Sequence, residues 1–233
     1  MVFIYNFWHS YFISIGTHTN NIMKKLFLFA LGLCTSAMTF AQDAPASGGV
    51  RVGAKAGLNY SNIIKTGDSD FKTEFKPGFH AGLFLEIPIV SGFSFAPEIV
   101  YSQKGYKETG SSLLGGENEF SVTSNFVEVP ILAKINAGTG FHIVLGPQVS
   151  FLTSTTEEFK QGTEAYRRTI EEENDNLKKS LFGGVVGFGF DINNRLGLNA
   201  RYALDLQRNN GDGSTQIPEY KNQVIQVGLG LKF

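Results

Sequence analysis

A chain of 233 residues has room for one large domain or two small ones, and its net charge of -1 gives no electrostatic case for nucleic acid as a partner. Hydrophobic residues at 42% and a mean hydropathy near zero fit a soluble protein and fit a membrane β-barrel equally, because a barrel's oily and polar residues alternate and cancel. The 27 glycines and 21 phenylalanines favour the barrel, where short strands repeat glycine and aromatic side chains.

Residues 1–22 fit no part of an export signal and read as an upstream extension from a misassigned start, or as a long n-region. Residues 23–41 do fit one. Lys24 and Lys25 supply the charged start, Leu26 to Leu33 the apolar core, and Thr39-Phe40-Ala41 a small-x-small cleavage site before Gln42. The apolar run is too short for a membrane helix, which needs about 20 residues. Cys34 follows the bulky Leu33, which argues against a lipoprotein site. The processed chain then has no cysteine, and an exported protein without disulfides must rely on its core or on a closed sheet.

After a lead-in at 42–49, eight segments alternate with a period of two, the signature of strands with one oily face. In the first, Val50, Val52, Ala54, Ala56, Leu58 and Tyr60 alternate with Arg51, Gly53, Lys55, Gly57 and Asn59. The next three carry Phe79 to Ile87, Phe93 to Tyr101 and Val127 to Ile135 on their oily faces. The fifth carries Phe141 to Phe151 and the sixth Phe182 to Phe190. The seventh sets Leu196, Leu198, Ala200, Tyr202, Leu204 and Leu206 against Gly197, Asn199, Arg201, Asp205 and Gln207. The eighth sets Ile225, Val227, Leu229, Leu231 and Phe233 against Gln226, Gly228, Gly230 and Lys232. Short turns lie at 90–92, 137–140 and 192–194, and long polar loops run over 62–75, 105–123, 154–179 and 208–221. Turns at one end and long loops at the other are the habit of outer-membrane barrels, whose long loops face outward. A soluble sandwich or lipocalin-like barrel also alternates. Its strands centre near five or six residues, however, and would not collect the glycines on the polar face.

The segment Phe126-Val127-Glu128-Val129-Pro130-Ile131-Leu132-Ala133-Lys134 resembles the LEVPLLLK hallmark of the PorT-like outer-membrane β-barrel family of Bacteroidetes-type bacteria. Val52 to Asn59, Pro77 to Gly82 and Pro97 to Gly105 resemble that family's first three strands. Gly146-Pro147, Arg201-Tyr202 and the final Phe233 complete the set in order. The resemblance spans nearly the whole processed chain and implies an eight-stranded outer-membrane barrel. It implies no single activity, and the founding member's tie to a secretion and gliding apparatus does not follow for this chain.

With the oily faces in lipid, the other faces line a lumen holding Arg51, Lys55, Lys104, Lys134 and Arg201 as cations and Glu86, Glu98, Glu128 and Asp205 as anions. Eight strands enclose a space that side chains fill. Mixed charges should therefore pair across it, with Lys55, Glu98, Glu128 and Arg201 at similar middle heights, because an unpaired buried charge is costly. A plug that rigidifies the barrel is expected, not a conduction path. Catalysis has thin support. His80 and His142 lie too far apart for a shared site, and His80 with Ser69 and Asp70 is the only grouping that resembles a hydrolase or acyltransferase site. Gly183-Gly184 and Gly187-x-Gly189 miss the spacing of a nucleotide fingerprint. Residues 157–179 carry mixed charge around Tyr166 and Ile170, as a short helix or as extended hairpin ends.

The expectation is an all-β, eight-stranded antiparallel up-and-down transmembrane β-barrel over 50–233, with short periplasmic turns and long extracellular loops, in the outer membrane of a Gram-negative bacterium. No enzyme activity, cofactor or metal is expected. The expected partners are outer-membrane lipid, the barrel-assembly machinery through the last strand and Phe233, and a surface or secretion-complex protein. A narrow channel or transport subunit, and a lipid-modifying enzyme using His80, stand as the alternatives.

Overall fold

The computed structural model describes residues 49–65, 73–111, 117–161, 164–171, 178–209 and 219–233. The expected signal segment and the Ser69 and Asp70 pair lie outside the described residues. Among the described residues nine strands form: β1 (Arg51–Lys65), β2 (Glu74–Val90), β3 (Phe93–Ser111), β4 (Glu117–Asn136), β5 (Phe141–Gln161), β6 (Glu164–Glu171), β7 (Ser180–Asp191), β8 (Leu196–Asp205) and β9 (Tyr220–Lys232). Each neighbour pair is antiparallel in the order β4-β3-β2-β1-β9-β8-β7-β5, and β4 pairs with β5 to close a ring of eight. Closure removes the free edges that an open sheet would present.

The ninth strand, β6, is not a stave of that ring. Along one edge of β5, β7 pairs with Phe141 to Phe151, and β6 pairs higher up with Ser154 to Gln161. Of the two forms open for residues 157–179, the described residues to Glu171 take the extended, hairpin-like one. The expected loop at 105–123 is also largely strand, since β3 runs to Ser111 and β4 starts at Glu117.

The three predicted turns join strands at one end. Gly92 (φ 82°) and Gly140 (φ 77°) take the left-handed conformation that a side chain resists. In the third turn Asn193 Oδ1 accepts from the amides of Arg195 and Leu196, both at 2.8 Å. The last residue is tied to the first strand, with the Phe233 amide donating to Val52 O at 2.8 Å.

Side chains alternate across this wall in the sense opposite to a soluble barrel. Leu58, Leu83, Ile131, Leu145, Val186, Leu198, Val227 and Leu229 point outward and are exposed, while Lys104, Glu128, Arg201 and Asp205 point inward and are buried. Aromatics edge the outward band on both sides. Tyr60 stacks on Phe75 with centroids 4.7 Å apart near the loop end, and Phe141 stacks on Phe188 at 6.3 Å near the turn end. Such girdles mark the two interfaces of a bilayer-spanning barrel.

Above the loop-end girdle the two faces exchange character. The outward positions of β4 and β5 become Thr123, Glu119, Ser154, Thr156, Glu158 and Lys160. The inward side there gains an apolar cluster, with Phe126 and Val122 of β4 joined by Tyr106 of β3 and Tyr220 of β9, all buried beside the polar pair Ser124 and Thr155. The register places Phe120 opposite Phe159 and Phe159 opposite Tyr166 on one face of the sheet, where Phe159 and Tyr166 remain exposed. A wall that is oily outside in lipid becomes oily inside where water surrounds it.

Candidate functional site

The inward side chains stack in three ionic layers. Nearest the turns, Lys134 reaches Glu86 at 2.9 Å and Asp191 at 3.3 Å, and Lys232 reaches Asp191 at 2.8 Å and Glu86 at 3.3 Å. This square joins β4, β2, β9 and β7, which are not all neighbours, so it braces the ring across its bore. His142 stands beside it, its Nδ1 3.8 Å from Asp191. In the middle layer Glu98 receives Lys55 at 2.7 Å and Arg201 at 2.7 Å, and Arg201 Nε donates to Gln226 Oε1 at 2.6 Å. In the upper layer Lys104 lies between Glu128 at 2.8 Å and Asp205 at 3.1 Å, with side chains 1%, 0% and 1% exposed. Asn222 donates to Asp205 at 2.7 Å, and the Phe126 ring covers the Lys104 ammonium at 4.8 Å.

These layers hold five cations and five anions: Lys55, Lys104, Lys134, Arg201 and Lys232 against Glu86, Glu98, Glu128, Asp191 and Asp205. The middle layer is one positive and the upper one negative, so they offset each other, and the square near the turns is neutral by itself. Buried ions are tolerated on those terms, each with a partner of opposite charge, although the Glu128 carboxylate oxygens find no hydrogen-bond partner among the described residues. Above them Ile63, Tyr106, Val122 and Tyr220 form an apolar cap, with the two tyrosine rings edge to face at 5.6 Å.

Eight of the nine predicted lumen charges are where the alternation puts them. Arg51 is the exception. It shares the inward parity, but it is the first residue of β1 and is exposed at the turn end, where the bore no longer surrounds it. Glu128 also departs in partner, joining Lys104 one layer above Lys55, Glu98 and Arg201. Asp191, Lys232 and His142 complete the square and were absent from the predicted set. The parity of Gly189 and Gly230 could have found the first two. Phe233, at the end of β9, is exposed.

His80 is committed inside the wall. Its Nδ1 donates to Asn59 Oδ1 at 2.8 Å, and that oxygen also accepts from Gln226 Nε2 at 3.1 Å. Asn59 repairs a break in the sheet. The β2–β3 register slips between Phe75 and His80, and Asn59 Nδ2 reaches Phe79 O at 3.1 Å and Gln103 O at 2.8 Å. Ser61 Oγ serves the next gap, donating to Gly105 O at 3.0 Å and accepting from Gly105 N at 2.9 Å. Two side chains of β1 thus satisfy backbone groups of β3 that a bulge in β2 leaves free.

A cavity of about 70 Å³ remains between the two lower layers, lined by Lys55, Phe84, Glu98, His142, Asn199 and Arg201 among others. Arg201 Nη2 and Asn199 Oδ1 find no hydrogen-bond partner among the described residues. This pocket has room for a few water molecules, and its lining stops below the upper layer.

The family match agrees with this architecture. The family model described as "Outer membrane protein beta-barrel domain" matches residues 40–232. Among solved structures, Neisserial surface protein A is 14% identical, with 79% of this chain and 97% of that one covered and a TM-score of 0.44. The attachment invasion locus protein Ail of Yersinia pestis is 12% identical, covering 78% and 98%, with a TM-score of 0.40. OprG from Pseudomonas aeruginosa is 14% identical, covering 79% and 94%, with a TM-score of 0.37. No curated protein matches the sequence. A closed ring of eight strands, oily toward lipid and ionic within, together with a family match over most of its length, makes this chain a member of the outer-membrane β-barrel domain family, resident in the outer membrane.

Proposed function

We propose that this protein is a sealed, non-catalytic barrel of the PorT-like type that holds an extracellular binding surface in the outer membrane of a Bacteroidetes-type bacterium. The motif at Phe126 to Lys134 and its ordered companions support the PorT-like placement. Export by a cleaved signal at 23–41, turns toward the periplasm and insertion through β9 and the exposed Phe233 belong to the same reading. Its binding partner is a surface or secretion-complex protein.

One observation carries the reading. Among the described residues the bore is crossed by three ion layers and an apolar cap, and the cavity's lining stops below the upper layer. A non-catalytic role is supported by His80, whose Nδ1 is held by Asn59 inside the filled wall. Planar-bilayer recording of the purified protein tests the seal. The expected result is a flat current trace, and a large sustained conductance would establish the channel alternative in its place. Crosslinking in native membranes followed by co-purification would identify the partner.

A further inference from the structure

The lower bore is not completely filled. Between the square near the turns and the middle layer lies the cavity of about 70 Å³, with Phe84, Ala96 and Val144 as its apolar walls. Its charged lining is Lys55, Lys134, Arg201 and Lys232 against Glu86, Glu98 and Asp191. That lining is one positive charge over, and the upper layer, one negative charge over, answers it. The bore is therefore already balanced. A charged guest would add a buried ion with no counter-charge left to meet it.

Two polar groups on this lining lack partners. Asn199 and Arg201 stand two residues apart on β8, so they share its inward face with Cα atoms roughly 7 Å apart. The Arg201 side chain is 2% exposed. Its Nε serves Gln226 and its Nη1 serves Glu98, which leaves Nη2 as a donor with no partner among the described residues. Asn199 Oδ1 is an acceptor in the same condition. A buried polar group left unpaired is costly, so the two together favour a guest that accepts from one and donates to the other. His142 Nδ1 also lacks a hydrogen bond, but it faces Asp191 at 3.8 Å within the square. Entry is from the turn end, where the Asp191 side chain is 24% exposed; Lys55, Glu98 and Arg201 at the other end are no more than 7% exposed.

We infer that this cavity is a binding site for a small neutral primary amide. Its size limits the guest to about four heavy atoms, the room of a few waters. The charge balance selects a neutral one. A carboxamide carries its acceptor oxygen and its donor nitrogen on separate atoms, which suits two partners set apart along a strand. A hydroxyl would have to draw both partners to one oxygen. The guest's carbonyl accepts from Arg201 Nη2, its N–H donates to Asn199 Oδ1, and its alkyl end lies against Phe84 and Val144. The inference goes beyond the sealed-barrel reading and concerns only the bore below the upper layer.

The test uses the full protein in neutral detergent, with acetamide as the probe and saturation-transfer NMR as the readout. Acetone has the same size with an acceptor alone, and acetate has the same size with a charge. Acetamide should bind saturably with a Kd on the order of millimolar, within what so few heavy atoms supply, and the other two about tenfold more weakly. Asn199→Leu removes the acceptor and should weaken acetamide about tenfold, with a much smaller effect on acetone. Val144→Phe fills the cavity and should abolish saturable binding of all three. Absence of saturable acetamide binding to the wild type overturns the inference, since the cavity then holds water alone. Acetate binding as tightly as acetamide overturns it in favour of an anion site, and acetone doing so overturns it in favour of a plain apolar void. Unchanged acetamide affinity in Asn199→Leu overturns it as well. Should Val144→Phe fail to fold, Asn199→Leu, which leaves every ion layer intact, decides by itself. A leak in planar bilayers would defeat the sealed-barrel reading and leave these binding results standing.

Discussion

Glu98 is the side chain on which the middle of the barrel turns. It receives both Lys55 and Arg201, which approach from β1 and β8, the two strands that flank β9. Glu98→Ala would leave two buried cations facing each other with their carboxylate gone, a loss of about 3 to 5 kcal/mol. Urea titration of the refolded protein, followed by the gel shift between folded and unfolded forms, should show that loss. Current traces should stay flat, because the upper layer and the apolar cap are untouched. A variant as stable as the wild type would mean that the ion cluster does not brace the wall. At this scale the sequence was legible wherever parity alone decides which way a side chain points, as for Lys55, Lys104, Lys134 and Arg201. It was not legible for Arg51, where parity is right but the strand has reached its rim. Nor was it legible for Asn59 and Ser61, whose task depends on a bulge in a neighbouring strand that no pattern in β1 records.

Among the strands, β8 ends at Asp205, short of the Leu206 and Gln207 that alternation assigned to it. Most of the other segments read from alternation were correct in their lower halves and too short in their upper ones. The cause is physical. A search for one oily face follows β4 from Ile135 to Val127 and loses it at Asn125, where the outward side turns polar and Phe126, Val122 and Phe120 take over inside. On β5 a second effect compounds the first. The pairing steps from Phe126 opposite Leu152 to Asn125 opposite Ser154, so Thr153 is an extra residue and the parity itself inverts. Strands that cross from lipid into water therefore hide their own continuation. The same exchange fixes where the bilayer ends, and two substitutions to one residue type can locate it. Val227→Arg places a charge on the lipid face within the oily band of β9 and should lower stability by about 2 to 4 kcal/mol. Thr156→Arg, outward on β5 above the girdle, should change it by no more than about 0.5 kcal/mol. Matched unfolding curves for the two variants would contradict a boundary between them.

As a whole, the molecule combines two protein interiors of opposite kind in one continuous sheet. Within the membrane span the interior is ionic, balanced in charge and braced across the bore; above it the interior is apolar and covered outside by a row of salt bridges. Each suits only one solvent, so the arrangement fixes not just the depth of insertion but its direction relative to the turns and loops. Sequential antiparallel neighbours make most of the wall, and only the pairing of β1 with β9 joins distant parts of the chain, so the sheet closes with the loop-end extension already on one side. Cysteine labelling reads that direction in cells. In a background with Cys34→Ser, the sole cysteine of the 233 residues is removed and an introduced thiol is unique. Thr169→Cys, exposed on β6, should react with a membrane-impermeant maleimide in intact cells. Asn194→Cys, exposed in the turn between β7 and β8, should react only after the outer membrane is permeabilised. The reverse pattern would invert the orientation, and labelling of both without permeabilisation would remove the barrier between the two ends altogether.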